Sequence, residues 1–329
     1  MKAWYLAESP GEYRWGEVPT PEAGPGEIRV RVVASAVNHI DHWQTQGMPK
    51  PKSFPHVSGS DGAGIVDSVG EGVTRFAPGD EVSLNAAITS REAVKNLGID
   101  NVFDPSLQLL GEHRWGCHGD FVVVPDFAAE LRPSSRTWAE CAAYPVALTS
   151  AWRMLRRGRF EAGQTVLITG IGGGVAVGAQ MLVQHLGGRV FTTSRDAAKR
   201  QRSIELGAED SFDSAERYPV KADVVIDSIG PATWKNCVGA LKPGGRLVTC
   251  GGTTGQVVEL NLPRLFFKHH EIIGSTLGSP EEFAYVTALM ADGLPIIIDH
   301  EYKHAEYPAA VERIRSGEQL GKLVIHHDG

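Results

Sequence analysis

The sequence predicts an α/β protein in which a doubly wound parallel sheet follows a smaller β-rich domain. Three observations carry this expectation. Thr165-Val166-Leu167-Ile168-Thr169 runs into a glycine cluster at Gly170, Gly172, Gly173 and Gly174 and then into an apolar segment, which reads as strand, tight turn, helix. Apolar runs at 189–193, 224–227, 246–250 and 272–275 alternate with helical stretches from Thr137 onward, the pattern of parallel strands covered by helices on both faces. The first third is instead rich in Gly and Pro, with short alternating runs at 28–32 and 64–69 bounded by turn residues.

In chain order, residues 1–127 form the β-rich domain, 128–278 the parallel-sheet domain, and 279–329 a tail that returns to the first. The tail carries expected helices at 281–291 and 305–316 and a last strand at 321–325. Open parallel sheets bind ligands beyond the carboxyl ends of their strands, where Gly170, Ser194, Asp227 and Gly251 fall. The cleft between the domains is therefore the expected site.

The glycine turn lets backbone N–H groups approach a pyrophosphate at the positive end of a helix, which is how dinucleotides are held. Gly172, Gly173, Gly174 and Val175 are the candidate contacts. In the register that best fits the GxGxxG pattern, Ile171 stands first, Gly173 in the middle and Ala176 last, so the first position departs from the motif. About 20 residues further on, an acidic side chain would hold a ribose 2′-hydroxyl. Here the strand ends at Ser194-Arg195, with no carboxylate at its end. Ser194 as donor, with Arg195 and Lys199 as cations, suits a 2′-phosphate and points to NADPH rather than NADH. A solvated helix start is the alternative reading of the two cations, and Asp196 keeps it open.

Composition narrows the function classes. The 329 residues allow two domains with a full core, and the formal charge of −7 gives no electrostatic footprint for nucleic acid. Met1-Lys2-Ala3-Trp4-Tyr5-Leu6 is followed by Glu8 and Pro10, without the apolar core of a signal peptide, and no apolar run reaches membrane-spanning length. Four scattered cysteines, Cys117, Cys141, Cys237 and Cys250, lack CxxC spacing, so neither a disulfide framework nor a zinc knuckle is expected. A cytoplasmic protein is the expectation.

Several further segments belong together: Gly59-Ser60-Asp61-Gly62-Ala63-Gly64, Val69-Gly70-Glu71-Gly72-Val73, Pro78-Gly79-Asp80-Glu81-Val82, Leu241-Lys242-Pro243-Gly244-Gly245-Arg246, Gly274-Ser275-Thr276 and Gly321-Lys322-Leu323-Val324. With the glycine turn they resemble the medium-chain dehydrogenase/reductase superfamily over nearly the whole chain. The resemblance implies a GroES-like β-barrel domain, a Rossmann domain and a nicotinamide cofactor. It also implies cofactor contacts at Thr149 beside the nicotinamide, at Asp227, for which a helix cap is the alternative reading, at Gly251, Gly252 and Thr253, at Thr276, and at Lys322 toward the pyrophosphate. A homodimer through the sheet edge near 272–277 follows by analogy.

Members of that superfamily divide into zinc alcohol dehydrogenases and zinc-free reductases. Where the zinc enzymes carry ligands, this chain has Asn38, Ser60 and Pro145, and the lobe 84–118 that should hold four structural cysteines has only Cys117. Catalytic zinc needs three protein donors, so no metal is expected. The matching proton-relay residue is Ile40, which has no proton to pass. Asn38 followed by Asp41, with Ser60-Asp61-Gly62, is similar to the quinone oxidoreductase branch, whose members pass hydride from NADPH to a quinone or an α,β-unsaturated carbonyl compound.

The catalytic candidates are Asn38, His39, Asp41 and Trp43. The Asn38 amide could donate to the carbonyl oxygen as it gains charge, or it could cap a turn. Trp43 could stack on a quinone or lie in the core. His39 and His42 could protonate a reduced substrate, or each could be a surface or packing histidine; His39 also matches a pyrophosphate contact of the zinc members. His269-His270 and His326-His327 receive no ligand role, because adjacent side chains diverge on a helix or strand. Two rivals stay open: a zinc alcohol dehydrogenase with unusual ligands such as His39, His42 or His56, and a sensor or scaffold that binds NADPH without turnover.

Overall fold

The computed structural model describes residues 1–327, and the chain divides into two compact units, Met1–Thr149 with Leu277–Gly329, and Ser150–Thr276. The hub of the first unit is the strand Glu27–Val37. Ile28, Val30, Val32 and Ala34 alternate inward along it, the period expected of a strand with one face on the core. Asp61–Val69 lies antiparallel on one side, followed outward by Glu81–Leu84 and Ala129–Leu131. On the other side Glu27–Val37 pairs with Phe121–Pro125 along its first half and with the C-terminal strand Lys322–His326 along its second. Ile298–Lys303 runs parallel to that last strand, so the tail completes the sheet. A smaller sheet joins Lys2–Leu6 to Tyr13–Glu17 and His56–Val57. Ile28, Val30, Val66, Val82, Leu84, Val122 and Val124 form one buried cluster, each worth about 1.5–3 kcal/mol in apolar burial.

Register in this sheet decides what meets at its end. Ala36 stands opposite Asp61 and Val37 opposite Leu323, so Asn38, Asp61 and Lys322 arrive together where three strands start or finish. Residues 128–149 also fold with this unit, although the sequence reading grouped them with the parallel sheet. Thr137 caps the helix Trp138–Ala143, its hydroxyl accepting from Glu140 N at 3.2 Å, and the helix packs on Glu27–Val37, Asp61–Val69 and Lys322–His326.

The second unit is a Rossmann-type sheet of six parallel strands in the order Asp210–Asp213, Arg189–Ser194, Thr165–Ile168, Ala222–Asp227, Leu241–Thr249, Glu271–Gly274. Numbered along this unit the order is third, second, first, fourth, fifth, sixth, the doubly wound arrangement. All four residues of Thr165–Ile168 are buried because helices cover both faces, which explains its unbroken apolar run. Asp210–Asp213 was not anticipated from sequence: its Asp-Ser-Phe-Asp composition and half-exposed edge position leave no hydrophobic alternation to read. Among the described residues no helix is long and apolar enough to cross a membrane.

A Cβ at Gly64 would overlap the Arg31 carbonyl oxygen of the neighbouring strand. Gly64→Ala should therefore cost about 1–3 kcal/mol, seen as a lower urea midpoint. An unchanged midpoint would show that the two central strands can separate freely there.

Candidate functional site

The turn after Thr165–Ile168 lies at the switch point of the sheet, where the first strand neighbours the fourth. Gly170 (φ 68°) and Gly172 (φ 135°) carry the left-handed backbone that favours glycine. Ile171 lies between them, 2% exposed, its N–H bonded to the Thr193 carbonyl at 2.8 Å. The turn thus tolerates isoleucine at the motif's first position because its neighbours do the bending. Gly173 caps the helix Gly174–His185, and a Cβ there would meet nothing within 4 Å. The first-turn N–H groups of Gly174, Val175 and Ala176 have no partner within the helix and form its positive end. Backbone donors beside open space fit a pyrophosphate.

At the end of Arg189–Ser194, the Asp196 carboxylate is turned onto its own helix, accepting from Ala198 N at 2.7 Å and Lys199 N at 3.3 Å. This cap explains why an acid stands there without offering itself to a ribose. Ser194 is buried and its Oγ accepts from Asp196 N at 3.1 Å, leaving its O–H to donate. Arg195 is exposed and forms no ion pair among the described residues, and Lys199 lies on the first turn of the helix Ala197–Glu205. Arg200, which sequence reasoning missed, ties the turn together through Ser194 O at 2.7 Å and Asp213 at 3.0 Å. Its partner strand was missed as well, so no signal pointed to it.

Asp227 behaves otherwise than expected of a cofactor contact. It is fully buried, and its oxygens accept from Thr169 Oγ1 at 2.7 Å, Thr233 Oγ1 at 3.0 Å and Gly230 N at 3.0 Å. Those bonds brace the loop into the helix Pro231–Ala240, so the carboxylate is a loop cap. Gly251, Gly252, Thr253 and Thr276 are exposed at the strand ends, and Thr253 Oγ1 donates to Ser228 O at 3.0 Å. Gly252 is forced by close approach, since a Cβ there would overlap the Gly255 carbonyl.

In the first unit Thr149 is 1% exposed and its hydroxyl has no hydrogen-bond partner among the described residues. An orphaned buried hydroxyl is uncommon and fits a polar ligand group. Asn38 precedes the helix His39–Thr45, where Asp41 reaches back to accept from Asn38 N at 2.7 Å. Asp41 is fully buried, its backbone carbonyl accepts from Tyr13 Oη at 2.8 Å, and its Oδ1 lies 3.5 Å from His118 Nε2. It is an internal brace rather than a group that meets substrate. Burial, with Asp41 beside it, pushes the Tyr13 pKa up, so that hydroxyl stays a donor. Trp43 is 36% exposed, which answers the core alternative, and its ring lies 5.7 Å from that of His39.

Asn38, Asp61 and Lys322 form a closed triangle. Lys322 Nζ donates to Asp61 Oδ2 at 2.7 Å, Asn38 Oδ1 at 2.8 Å and Val37 O at 3.1 Å; Asn38 Nδ2 donates to Asp61 Oδ2 at 2.8 Å. Asp61 Oδ1 accepts from Val146 N at 2.7 Å. Lys322 is 3% exposed and spends all three ammonium hydrogens inside the protein, which corrects its expected reach toward a pyrophosphate. The triangle itself was missed, since only strand register brings Lys322 to Asn38.

These contacts bear on zinc. Ser60 and Pro145 offer it little, Asn38 Oδ1 and both Asp61 oxygens already accept hydrogen bonds, and His56 Nε2 bonds the Gly111 carbonyl at 3.0 Å. Among the described residues, no group of three or more His, Cys, Asp or Glu side chains could hold a metal ion. The donor set does not fit catalytic zinc. His326 and His327 diverge as strand neighbours do, one to Glu301 at 2.6 Å and the other to Ser35 at 2.8 Å.

Residues 24–132 match the alcohol dehydrogenase GroES-like domain, and 174–292 match the zinc-binding dehydrogenase family. A cobalt- and zinc-bound thermostable alcohol dehydrogenase from Pyrobaculum aerophilum superposes with a TM-score of 0.92 at 31% identity, covering 99% of each chain. The zinc-type alcohol dehydrogenase-like protein YogA of Leptosphaeria maculans is 29% identical over 94% of this chain and 92% of its own. The chloroplastic NADPH-dependent alkenal/one oxidoreductase of Arabidopsis thaliana is 28% identical over 77% of this chain and 63% of its own.

Burial pushes the His56 pKa down, with the Gly111 hydrogen bond opposing more weakly. Above pH about 6.5 the ring is neutral in folded and unfolded chains alike and its stability contribution is complete. As pH falls further the unfolded chain takes up the proton first, so stability drops by up to about 1.4 kcal/mol per pH unit until the folded pKa is passed. His56→Gln should flatten that decline in urea midpoints between pH 7 and 5. Parallel curves for variant and parent would show that His56 carries no such penalty.

Proposed function

We infer the activity from one premise: the chain belongs to the medium-chain dehydrogenase/reductase superfamily of NAD(P)-dependent oxidoreductases. We propose that it is an NADPH-dependent reductase of a quinone or an α,β-unsaturated carbonyl compound that works without catalytic zinc. The observation that carries this reading is the Asn38–Asp61–Lys322 triangle, which commits to internal hydrogen bonds the donors a zinc ion would need. The printed activity of the alkenal/one relative supports the same class of acceptor.

When bound, NADPH supplies a hydride for the electron-poor β-carbon or quinone ring. Gly172, Gly173, Gly174 and Val175 offer backbone N–H groups to its pyrophosphate, with open space beside Gly173. Ser194, Arg195 and Lys199 offer a hydroxyl and positive charge to the 2′-phosphate. Thr149, with its unpartnered hydroxyl, is assigned to the carboxamide end, and Gly251, Gly252, Thr253 and Thr276 are assigned as further cofactor contacts. Asn38 donates from Nδ2 to the acceptor's oxygen, and His39 stands one residue away on the helix to return a proton. Exposed Trp43, Met48 and Phe54 give a planar acceptor an apolar surface. Four free thiols suit a reducing cytoplasm.

We also propose a homodimer. Glu271–Gly274 leaves one sheet edge unpaired, and Leu262, Phe266, Phe267 and Ile272 beside it are exposed. Phe267→Glu should shift the protein from dimer to monomer in sedimentation; a monomeric parent would end this proposal.

The activity test is NADPH oxidation across quinones, enones and saturated aldehydes, with metal content measured on the same sample. Turnover confined to conjugated acceptors and indifferent to chelators is expected. Arg195→Ala should weaken NADPH binding about ten- to a hundredfold and leave NADH nearly unaffected, as befits a lost charged hydrogen bond. Stoichiometric zinc required for turnover would overturn the reading, and tight NADPH binding without any turnover would favour a sensor.

A further inference from the structure

We propose that Lys322 is a positioning residue for this reduction: its buried ammonium locks the Asn38 amide in one orientation and strengthens that amide as a donor to the acceptor's oxygen. The inference rests on the reading of Asn38 as the group that meets the developing oxyanion.

An asparagine side chain can present either end of its amide, and only its partners decide which. An ammonium can only donate, and a carboxylate can only accept. Because Lys322 Nζ lies 2.8 Å from Oδ1 and Asp61 Oδ2 lies 2.8 Å from Nδ2, the oxygen end must face the lysine and the nitrogen end the aspartate. Exchanging them would set a donor against a donor and an acceptor against an acceptor. The pair thus reads as an orientation device built from one fixed positive and one fixed negative charge.

Counting hydrogens shows what is left for a ligand. Lys322 has used its three on Asp61, Asn38 and Val37. Asn38 Nδ2 has used one on Asp61, and its second has only the Ala36 carbonyl at 3.5 Å, too long for a good N–H···O bond. Asn38 is partly exposed, whereas Lys322 and Asp61 are 3% and 0% exposed. That second N–H is therefore the polar hydrogen by which the triangle can act outward.

The two charges act on it in opposite senses. Asp61 accepting from Nδ2 pushes electron density toward the nitrogen and weakens the remaining N–H. Lys322 donating into Oδ1 draws density away through the conjugated amide and restores donor strength, a cooperative effect of about 10–30% per bond.

The test pairs Lys322→Gln/Asp61→Asn, which keeps hydrogen-bonding groups while removing both charges, with the parent protein. Expected in the double variant is a fall of about ten- to a hundredfold in kcat for conjugated acceptors, with a smaller change in KM and little change in NADPH Kd. Nitrogen-15 NMR of the parent should show one Asn38 Nδ2 proton displaced downfield by its charge-assisted bond to the Asp61 carboxylate, a displacement that the variant loses. An active parent whose folded double variant keeps its kcat overturns the role of Lys322 alone. An Asn38 Nδ2 proton pair at the shifts of a freely solvated side-chain amide in the parent overturns it even if the variant does not fold. A parent that reduces no conjugated acceptor overturns the functional reading and this inference with it.

Discussion

The first unit depends on a carboxylate and an ammonium that are almost wholly removed from water. Asp61 begins one strand and Lys322 begins the last one, and the long strand between them ends at Val37, just before Asn38. Removing one member of such a pair costs about 3–5 kcal/mol, because the other is left charged and unpartnered. That penalty acts on register. If Lys322–His326 slipped by two residues along Glu27–Val37, apolar side chains would still face the core, but Lys322 would lose Asp61. Hydrophobic alternation alone tolerates the slip, and the ion pair does not.

The second unit solves a different problem with backbone rather than charge. A parallel sheet must present a ligand with donors at the carboxyl ends of its strands, and side chains at a tight turn would block the approach. Gly170 and Gly172 take the left-handed backbone, and Gly173 leaves space before the helix. Ile171 then closes the turn from below as a core residue. The neighbouring loop is held by Asp227, whose three hydrogen bonds keep the strand end and the helix Pro231–Ala240 in fixed relation. Rigidity at this level leaves buried Ser194 and exposed Arg195 in fixed places at the strand end, where the proposed 2′-phosphate contact is assigned.

What was legible in the sequence follows from how local its cause is. The strand–turn–helix at 165–179 and the strands 189–193 and 224–227 were readable because burial on both faces writes itself as continuous apolar runs. Asp210–Asp213 was not, because an edge strand with polar residues leaves no such mark. Asn38 could be singled out by type and neighbourhood, yet its partner Lys322 lies 284 residues away in the chain and is joined to it only through sheet pairing. Asp227 was read as a cofactor contact or a helix cap from its place at a strand end, and Asp41 as a catalytic candidate from its place beside Asn38. Both turn inward because the adjacent backbone N–H groups need an acceptor, and a short carboxylate is the nearest one.

The energetic demand of the proposed reaction matches this inward-looking arrangement. Polarising an isolated carbonyl requires concentrated positive charge at one oxygen, which a metal ion supplies as a Lewis acid. In a conjugated acceptor the charge gained at one end is delocalised toward the other, so a preorganised hydrogen-bond donor, worth about 3–4 kcal/mol in an oxyanion site, covers a larger share of the barrier. A side-chain amide can serve only if it does not rotate as the charge develops, since reorientation would consume the advantage of preorganisation. The buried pair meets that requirement: its attraction is spent inside the protein, and the partly exposed Asn38 amide is held with its nitrogen toward Asp61 and its oxygen toward Lys322. Charge is therefore more useful here behind the amide than in contact with the acceptor, where an exposed ammonium would be screened by water.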